Sequence, residues 1–337
     1  MASQLETRCS DLVEKLGLGA RADVSSVRAL TGGVASDIAA VDVGNRRICT
    51  KFALEKLRVA EEWHAPVDRN GAEYAWLAFA GKTVPGSAPM LFGRDAELNG
   101  FAMEFLQGDD IYLWKTALLD GQPDRDEAAK VAAALGEIHA ASARPGFDAA
   151  PFQNRQDFYD LRLEPYLAYT ASVHNELAAS MQSLIESLQS NERVLIHGDV
   201  SPKNILFRNG EPVFLDAECA TMGDPGFDVA FCLNHLLLKS FHMPDRADER
   251  LASVRRFWAA YASKVHWEDI GNLENRVCKL LPALMLARID GKSPVEYLSG
   301  GNHKRIRAFS IPLVGKPPVT LEDLTGKVFA ELTERQS

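Results

Sequence analysis

The sequence predicts an α+β protein whose strands and helices are segregated along the chain. Three observations carry that reading. Short β-branched runs separated by glycine turns occupy the first hundred residues. Amphipathic helical periods occupy the remainder, and the character changes near Gln107. At 337 residues the chain can bury a sizeable core, as two or three domains or as one large bilobal unit.

Val24–Leu30, Ile38–Val43 and Arg47–Ala53 are the first strand candidates, divided by Gly32-Gly33 and Gly44-Asn45, which are turn chemistry. Asn70–Ala80 reads as a helix with Tyr74, Leu77 and Ala78 on one face. Gly100–Leu106 is a further strand, closed by Gln107-Gly108-Asp109-Asp110. Helices then follow. Glu127–Ala141 carries Val131, Leu135 and Ile138 at helical spacing, and Glu176–Gln189 carries the stripe Leu177, Met181, Leu184, Ile185 and Leu188. Asp228–Lys239, Arg250–Lys264 and Glu274–Ile289 are also helical, with Pro282 expected to start or kink the last. Thr320–Thr333 reads as a capped terminal helix, Thr320 lying three residues before Asp323.

Apolar content of 46% and charged content of 25% are those of an ordinary globular protein. The net charge of −9 argues against a nucleic acid or an anionic membrane as main partner. It is compatible with a cationic substrate, and equally with simple solubility. The five cysteines (Cys9, Cys49, Cys219, Cys232, Cys278) are odd in number and never form C-x-x-C, which suggests reduced, buried thiols. Met1–Leu18 lacks the apolar core of a signal peptide, and no run approaches the ~18 apolar residues of a transmembrane helix. A cytoplasmic protein is expected.

Residues 194–228 carry the chemistry. The apolar run Val194-Leu195-Ile196 leads into His197-Gly198-Asp199; Asn204 follows five residues later, then Ile205-Leu206-Phe207, Asn209-Gly210 and Val213-Phe214-Leu215-Asp216. Two apolar runs around Asn-Gly predict a β-hairpin. In that register Phe207 pairs with Pro212 and Asn204 lies opposite Leu215, so Asn204 and Asp216 meet at the open end with Asp199 one loop away. One amide oxygen and one carboxylate suffice for a magnesium ion that keeps waters and phosphate oxygens. An aspartate outside that shell can orient a hydroxyl and accept its proton. Taken singly, each of these residues is an ordinary turn or cap residue.

The string His197-Gly198-Asp199-x-x-x-x-Asn204, Asp216-x-Glu218 and Gly223-Asp224-Pro225-Gly226-Phe227-Asp228 resembles the aminoglycoside phosphotransferase and choline kinase superfamily. The resemblance implies a bilobal protein-kinase-like fold, with a nucleotide-binding lobe at 1–106 and a catalytic and substrate-binding lobe at 107–337. It implies ATP and Mg2+ as cofactors and a small-molecule hydroxyl as acceptor. Asp199 would be the base, with Asn204 and Asp216 on magnesium. Glu218 would assist a second ion or be structural, and Asp228 would brace the catalytic loop. His197 packs beneath that loop or acts as acid or ligand. Ser201 and Lys203 reach the γ-phosphate or lie on the loop surface.

Upstream, the same resemblance asks for a phosphate-covering turn, a strand lysine and a helix glutamate. Thr31-Gly32-Gly33-Val34-Ala35-Ser36 would supply the turn, with Gly33 and Ser36 against the nucleotide. Lys51 lies on the third strand candidate, sharing an inner face with Cys49 and Ala53, and Glu73 on the next helix is its natural ion-pair partner. Arg58, Glu61 and Glu62 read as exposed charge. Backbone groups from Glu104 to Leu106 would meet the adenine. No G-x-x-x-x-G-K-[ST] occurs, which argues against a P-loop kinase.

The acceptor would lie over Asp199, bordered by Asn234, His235 and Lys239 and by Arg288, Asp290 and Lys292, each of which has a surface or cap role as its alternative. Pro145–Tyr169, rich in aromatics and arginine (Arg155, Arg162), is either an insert beside the pocket or a packed helical elbow. Acids between 228 and 337 are dispersed among many basic residues, which disfavours a polyamine antibiotic. A catalytically silent nucleotide binder is the alternative reading. A protein kinase is disfavoured by His-Gly-Asp and by Asp216-Ala-Glu.

Overall fold

The computed structural model describes residues 3–30, 35–58 and 66–333. Residues 31–34 of the expected phosphate turn, Gly33 included, and the charged pair Glu61 and Glu62 lie outside the described residues.

The first lobe is a five-stranded antiparallel sheet in the order β1-β2-β3-β5-β4. Its strands are β1 (Val24–Ala29), β2 (Ser36–Val43), β3 (Arg46–Ala53), β4 (Leu91–Asp95) and β5 (Gly100–Glu104). Helix α1 (Gln4–Lys15) covers one face, burying Cys9, Leu12 and Val13 against Val41, Ile48 and Phe52. Its short, charged sequence offered too few apolar positions to be predicted. Helix α2 (Arg69–Thr83) covers the other face through Trp76, Leu77 and Ala80. Strand β4 was not predicted either. Each of its residues is half-buried, so no two-residue alternation exists, and Gly93 at φ +143° interrupts its pairing with β5.

The second lobe starts with β6 (Ile111–Leu113), α3 (Trp114–Leu119) and α4 (Glu127–Ser142). A winding helical segment follows: α5 (Arg155–Phe158), π-type turns over Tyr159–Ala168, and α6 (Tyr169–Val173). This region is a packed helical elbow, and it also borders the site, since Arg162 reaches Asp199. Then come α7 (Ala178–Gln189), β7 (Val194–Ile196), β8 (Ile205–Arg208), β9 (Glu211–Phe214) and β10 (Thr221–Gly223). Helices α8 (Pro225–His242), α9 (Ala247–Ala262), α10 (Ile270–Asp290), α11 (Gly300–Gly315) and α12 (Leu321–Thr333) complete it.

Helix α8 forms the centre of this lobe, buried all round from Pro225 to Phe241. Helix α10 begins earlier than Glu274: the Asp269 carboxylate accepts from the Asn272 amide and fixes the start at Ile270. Pro282 lies inside it and neither starts nor ends it.

The β8–β9 hairpin has the predicted register, Phe207 opposite Pro212, and Asn209 and Gly210 turn with φ of 53° and 75°. All five cysteines are buried and unpaired. No helix among the described residues is long and apolar enough to cross a membrane. One apolar cluster runs from the α2 side of the sheet through the helical lobe. Trp76 on α2 stacks edge-on against His197 at 4.6 Å and Phe214 at 5.7 Å, so the helix carrying Glu73 packs directly on the catalytic-loop motif.

Candidate active site

The loop after β7 is built by backbone satisfaction. Gly198 has φ +78°, and a Cβ there would meet the Cys219 carbonyl oxygen at 2.7 Å, so only glycine fits. Asp228, in the first turn of α8, accepts the amides of His197 at 2.6 Å and Gly198 at 2.8 Å. This is the bracing role expected of it. His197 Nδ1 accepts the Asp199 amide at 3.1 Å, which leaves Nε2–H to donate to the Leu215 carbonyl at 3.1 Å. Burial lowers the His197 pKa, in keeping with that neutral tautomer. His197 is therefore scaffold rather than acid.

Asp199 is buried at the floor of the loop. Arg162 Nη2 donates to its Oδ2 at 2.8 Å, Lys203 Nζ lies 3.1 Å from the same oxygen, and Ser201 Oγ donates to Oδ1 at 3.3 Å. Burial alone would raise its pKa, but Arg162 and Lys203 outweigh that, and the carboxyl is held below its usual value. Arg162 was not singled out in the sequence. Its Nε also donates to the Gly198 carbonyl at 2.7 Å, so one guanidinium fixes both the loop backbone and the carboxylate. Its only signal was the arginine- and aromatic-rich composition of its segment.

The hairpin delivers the other pair. The Leu215 amide donates to the Asn204 carbonyl at 2.9 Å, closing the open end. Asn204 Nδ2 donates to the Asp199 carbonyl at 3.1 Å, which commits the amide nitrogen and leaves Oδ1 as the donor atom for a cation. Asp216 follows in a left-handed conformation, φ 67°, uncommon for a residue with a side chain. Its Oδ1 pairs with Lys51, whose ammonium lies 2.6 Å from Glu73 Oε1.

Burial opposes the Lys51 charge, but Asp216 and Glu73 reverse this and raise its pKa. Burial works to raise the Asp216 carboxyl, and Lys51 and Lys203 pull it down instead. Burial pushes Glu73 up to about 7, with Lys51 opposing and Asp216 adding to the rise. The donor set at Asn204 and Asp216 is hard oxygen only, which fits magnesium.

These groups line one cavity of about 270 Å3 between the lobes. Lys51, Glu73, Asn204 and Asp216 are its polar lining; Leu30, Ile38, Cys49, Met103, Phe105 and Leu106 are among its apolar lining. The Glu104 amide is already donated to Met90 O at 2.7 Å, and its carboxylate accepts from Arg208 at 2.8 Å. Glu104, Phe105 and Leu106 all line the cavity. Ser36 is buried at the start of β2 opposite Ala53, and it is not brought to the cavity wall. Glu218 is buried against Arg69 Nε at 3.1 Å. The same guanidinium reaches the carbonyls of Ala35 at 2.6 Å and Leu54 at 2.9 Å, a tie between lobes that the sequence did not reveal.

Residues 26–277 match the phosphotransferase enzyme family. The chain belongs to that family. The resemblance read from His197 to Asp228 is borne out. A methylthioribose kinase from Erwinia tasmaniensis is 27% identical over 259 residues, covering 65% of this chain and 63% of that protein. One from Yersinia enterocolitica is 25% identical over 264 residues, covering 70% and 65%. The chain thus spans just under two thirds of the length of these curated relatives. Among solved structures, the choline kinase LicA from Streptococcus pneumoniae superposes with a TM-score of 0.52 at 16% identity, covering 93% of this chain and 99% of that one. An amicoumacin kinase in complex with AMP-PNP, Ca2+ and Ami superposes with a TM-score of 0.57 at 13% identity, covering 96% and 100%. Likeness at this identity speaks to the bilobal fold alone.

The acceptor-side candidates divide. His235, Lys239 and Arg288 border one recess. Asp290 instead accepts from His174 Nε2 at 2.8 Å and Arg307 Nε at 2.8 Å, and Lys292 donates to Glu164 at 2.7 Å, so these two hold helices together. Asn234 is fully buried in α8 and its amide finds no partner; the structure offers no reason for it.

Proposed function

We propose that this protein transfers the γ-phosphoryl group of ATP to a hydroxyl of a small molecule, with Mg2+ as cofactor. Residues 1–106 serve as the nucleotide-binding lobe and 107–337 as the catalytic and substrate-binding lobe. The observation that carries the reading is the chain of contacts from Glu73 through Lys51 to Asp216, lining one cavity with Asn204 and Lys203, both of which contact the braced Asp199.

In the reaction the acceptor oxygen bonds to the γ-phosphorus as the bond to the β,γ-bridging oxygen breaks, and ADP leaves. Asp199 accepts the hydroxyl proton. A carboxyl held below its usual pKa is a weak base, which suits a loose transition state where the base chiefly orients the hydroxyl until the new bond is advanced. Arg162 keeps Asp199 in place, and Lys203 adds positive charge where the phosphoryl group passes. Lys51 is positioned for the α- and β-phosphates, with Glu73 holding it. Asn204 and Asp216 would hold magnesium, which would supply charge neutralisation on the phosphates. Glu218 belongs to the Arg69 tie before it belongs to any second ion.

Relatives named methylthioribose kinase support a small-molecule acceptor, and the amicoumacin kinase complex with AMP-PNP and Ca2+ supports a nucleotide with a divalent cation. Unpaired cysteines support a reducing, cytoplasmic setting. The test is ATP consumption over sugars, thiosugars, amino alcohols, homoserine and aminoglycosides. Acceptor-dependent ADP release is expected. Nucleotide binding without release, acceptor or none, would favour a silent binder.

A further inference from the structure

We propose that the acceptor carries an anionic group, a carboxylate or a phosphate monoester, held in the recess formed by Lys115, Lys203, His235, Lys239, Arg288 and Tyr297. The proposal rests on the phosphotransferase reading and names the acceptor class for that same site.

The recess is small, about 30 Å3, room for a headgroup rather than a whole sugar. Lys203 lines both it and the nucleotide cavity, and its ammonium lies 3.1 Å from Asp199, so a headgroup here leaves the rest of the molecule beside the base. Its walls carry Lys115, Lys203, Lys239 and Arg288 against a single carboxylate, Glu296, in a chain whose net charge is −9. Of the four cations, Lys115 is paired with Glu296 and Lys203 with Asp199. Among the described residues Lys239 and Arg288 have no carboxylate partner.

Both are almost wholly buried, Lys239 at 1% exposure and Arg288 at 7%. Lys239 has only the ring of Tyr297 at 4.7 Å. Arg288 Nη1 is held by Tyr166 Oη and Ser293 Oγ, both at 3.0 Å, which aims the guanidinium while its Nε stays unpartnered. His235 Nε2 and the Tyr297 hydroxyl, also in the recess, are buried without a hydrogen-bond partner. Burial, with Lys115, Arg250 and Arg288, pulls Lys239 down to about 7, and burial with Arg288 and Lys239 drives His235 well below its ordinary value.

A structural lysine at this depth ordinarily takes a carboxylate, because an unpaired buried charge is costly. Arg288, a Lys239 that an incoming anion would hold protonated, and two orphaned polar atoms converge on one recess beside a reacting centre and form a ready-made oxyanion receptor. A cationic amine would meet four basic side chains against one carboxylate, Glu296, which Lys115 already holds.

The test uses two series that share hydroxyls and differ in charge: glycerol, glycerate, glycerol 3-phosphate and 3-amino-1,2-propanediol; and glucose, gluconate, glucose 6-phosphate and glucosamine. With MgADP saturating the nucleotide site, melting temperature is followed for wild type, Lys239→Gln and Arg288→Gln. Carboxylate or phosphate members should raise the wild-type melting temperature where neutral and amino members do not, and both substitutions should remove the shift. The two anionic arms separate carboxylate from phosphate. Equal shifts across charge classes, or an anion shift that survives both substitutions, would overturn the proposal.

Phosphoryl transfer from MgATP, measured on the same compounds, tests the underlying reading separately. For an anionic acceptor that turns over, either substitution should raise KM at least ten-fold, with a smaller change in kcat. Transfer confined to neutral or amino members overturns the anion proposal and keeps the phosphotransferase. Anion binding that depends on Lys239 without transfer to any compound keeps the receptor and overturns the phosphotransferase.

Discussion

The cavity between the lobes and the recess next to it share Lys203 yet handle charge differently. In the cavity, Lys51 is enclosed by Glu73 and Asp216, and Glu104 by Arg208, so the charges close on one another before any ligand arrives. In the recess, Lys239 and Arg288 are buried with no carboxylate at ion-pair distance among the described residues, Glu296 of the same wall being paired with Lys115. A closed network organises a site and is stable empty. An open one is stable only as long as the surrounding fold forces it, and it is completed by a ligand of opposite sign. On the proposed reading, the two regions divide the labour of fixing the nucleotide and selecting the acceptor.

The largest effect should come from opening the closed network. Lys51→Met leaves Glu73 and Asp216 without their cation, and breaking a buried pair of this kind costs about 3–5 kcal/mol. A large fall in melting temperature together with weakened MgATP binding is expected; an unchanged melting temperature would show that the network is not needed by the empty fold. Next is Arg162→Met, which frees Asp199 without touching the metal donors. We expect kcat to fall by about 10–100-fold, the scale of a mispositioned catalytic group, with the MgATP dissociation constant little changed. A parallel loss of nucleotide binding would contradict a positioning role.

The recess should answer in the opposite direction. Lys239 has a folded-state pKa near 7 against 10.5 in the unfolded chain, so between these values the unfolded state binds the extra proton. Stability of the wild type should therefore decline as pH falls from about 10 towards 7, and level off below. Lys239→Met removes that term. Thermal melts should show the variant gaining on the wild type over this interval, whereas a pH-independent gap would contradict the unpaired charge. The smallest effect belongs to Glu104→Gln. Its pair with Arg208 is about one-third exposed, so a change under about 1 kcal/mol in chemical denaturation is expected.

Much of this was legible in the sequence because local chemistry encodes it. Asn209-Gly210 specifies the turn that brings Asn204 to Asp216, and an alternating strand with one inward lysine points to Lys51. What was missed depends on contacts between distant segments. Arg162 meets Asp199 across 37 residues, and Arg69 meets Glu218 across 149, with no spacing rule to announce either. Helix α11 opens on glycines and contains Pro312, which hid its period, yet Ser299 caps it through the Asn302 amide. In the recess, Lys239 and Arg288 come from α8 and α10, and their lack of partners exists only once those helices are packed.

Asp199 is proposed to act as base on an acceptor hydroxyl beside the magnesium ligands Asn204 and Asp216. The most direct test is transfer of the γ-phosphoryl group from labelled ATP by wild type and Asp199→Asn, with MgATP affinity and melting temperature measured on the same preparations. Transfer should fall by about 10²–10⁴-fold, the scale of general-base loss, while the variant binds MgATP and melts like wild type. Turnover within a few-fold of wild type would contradict the account.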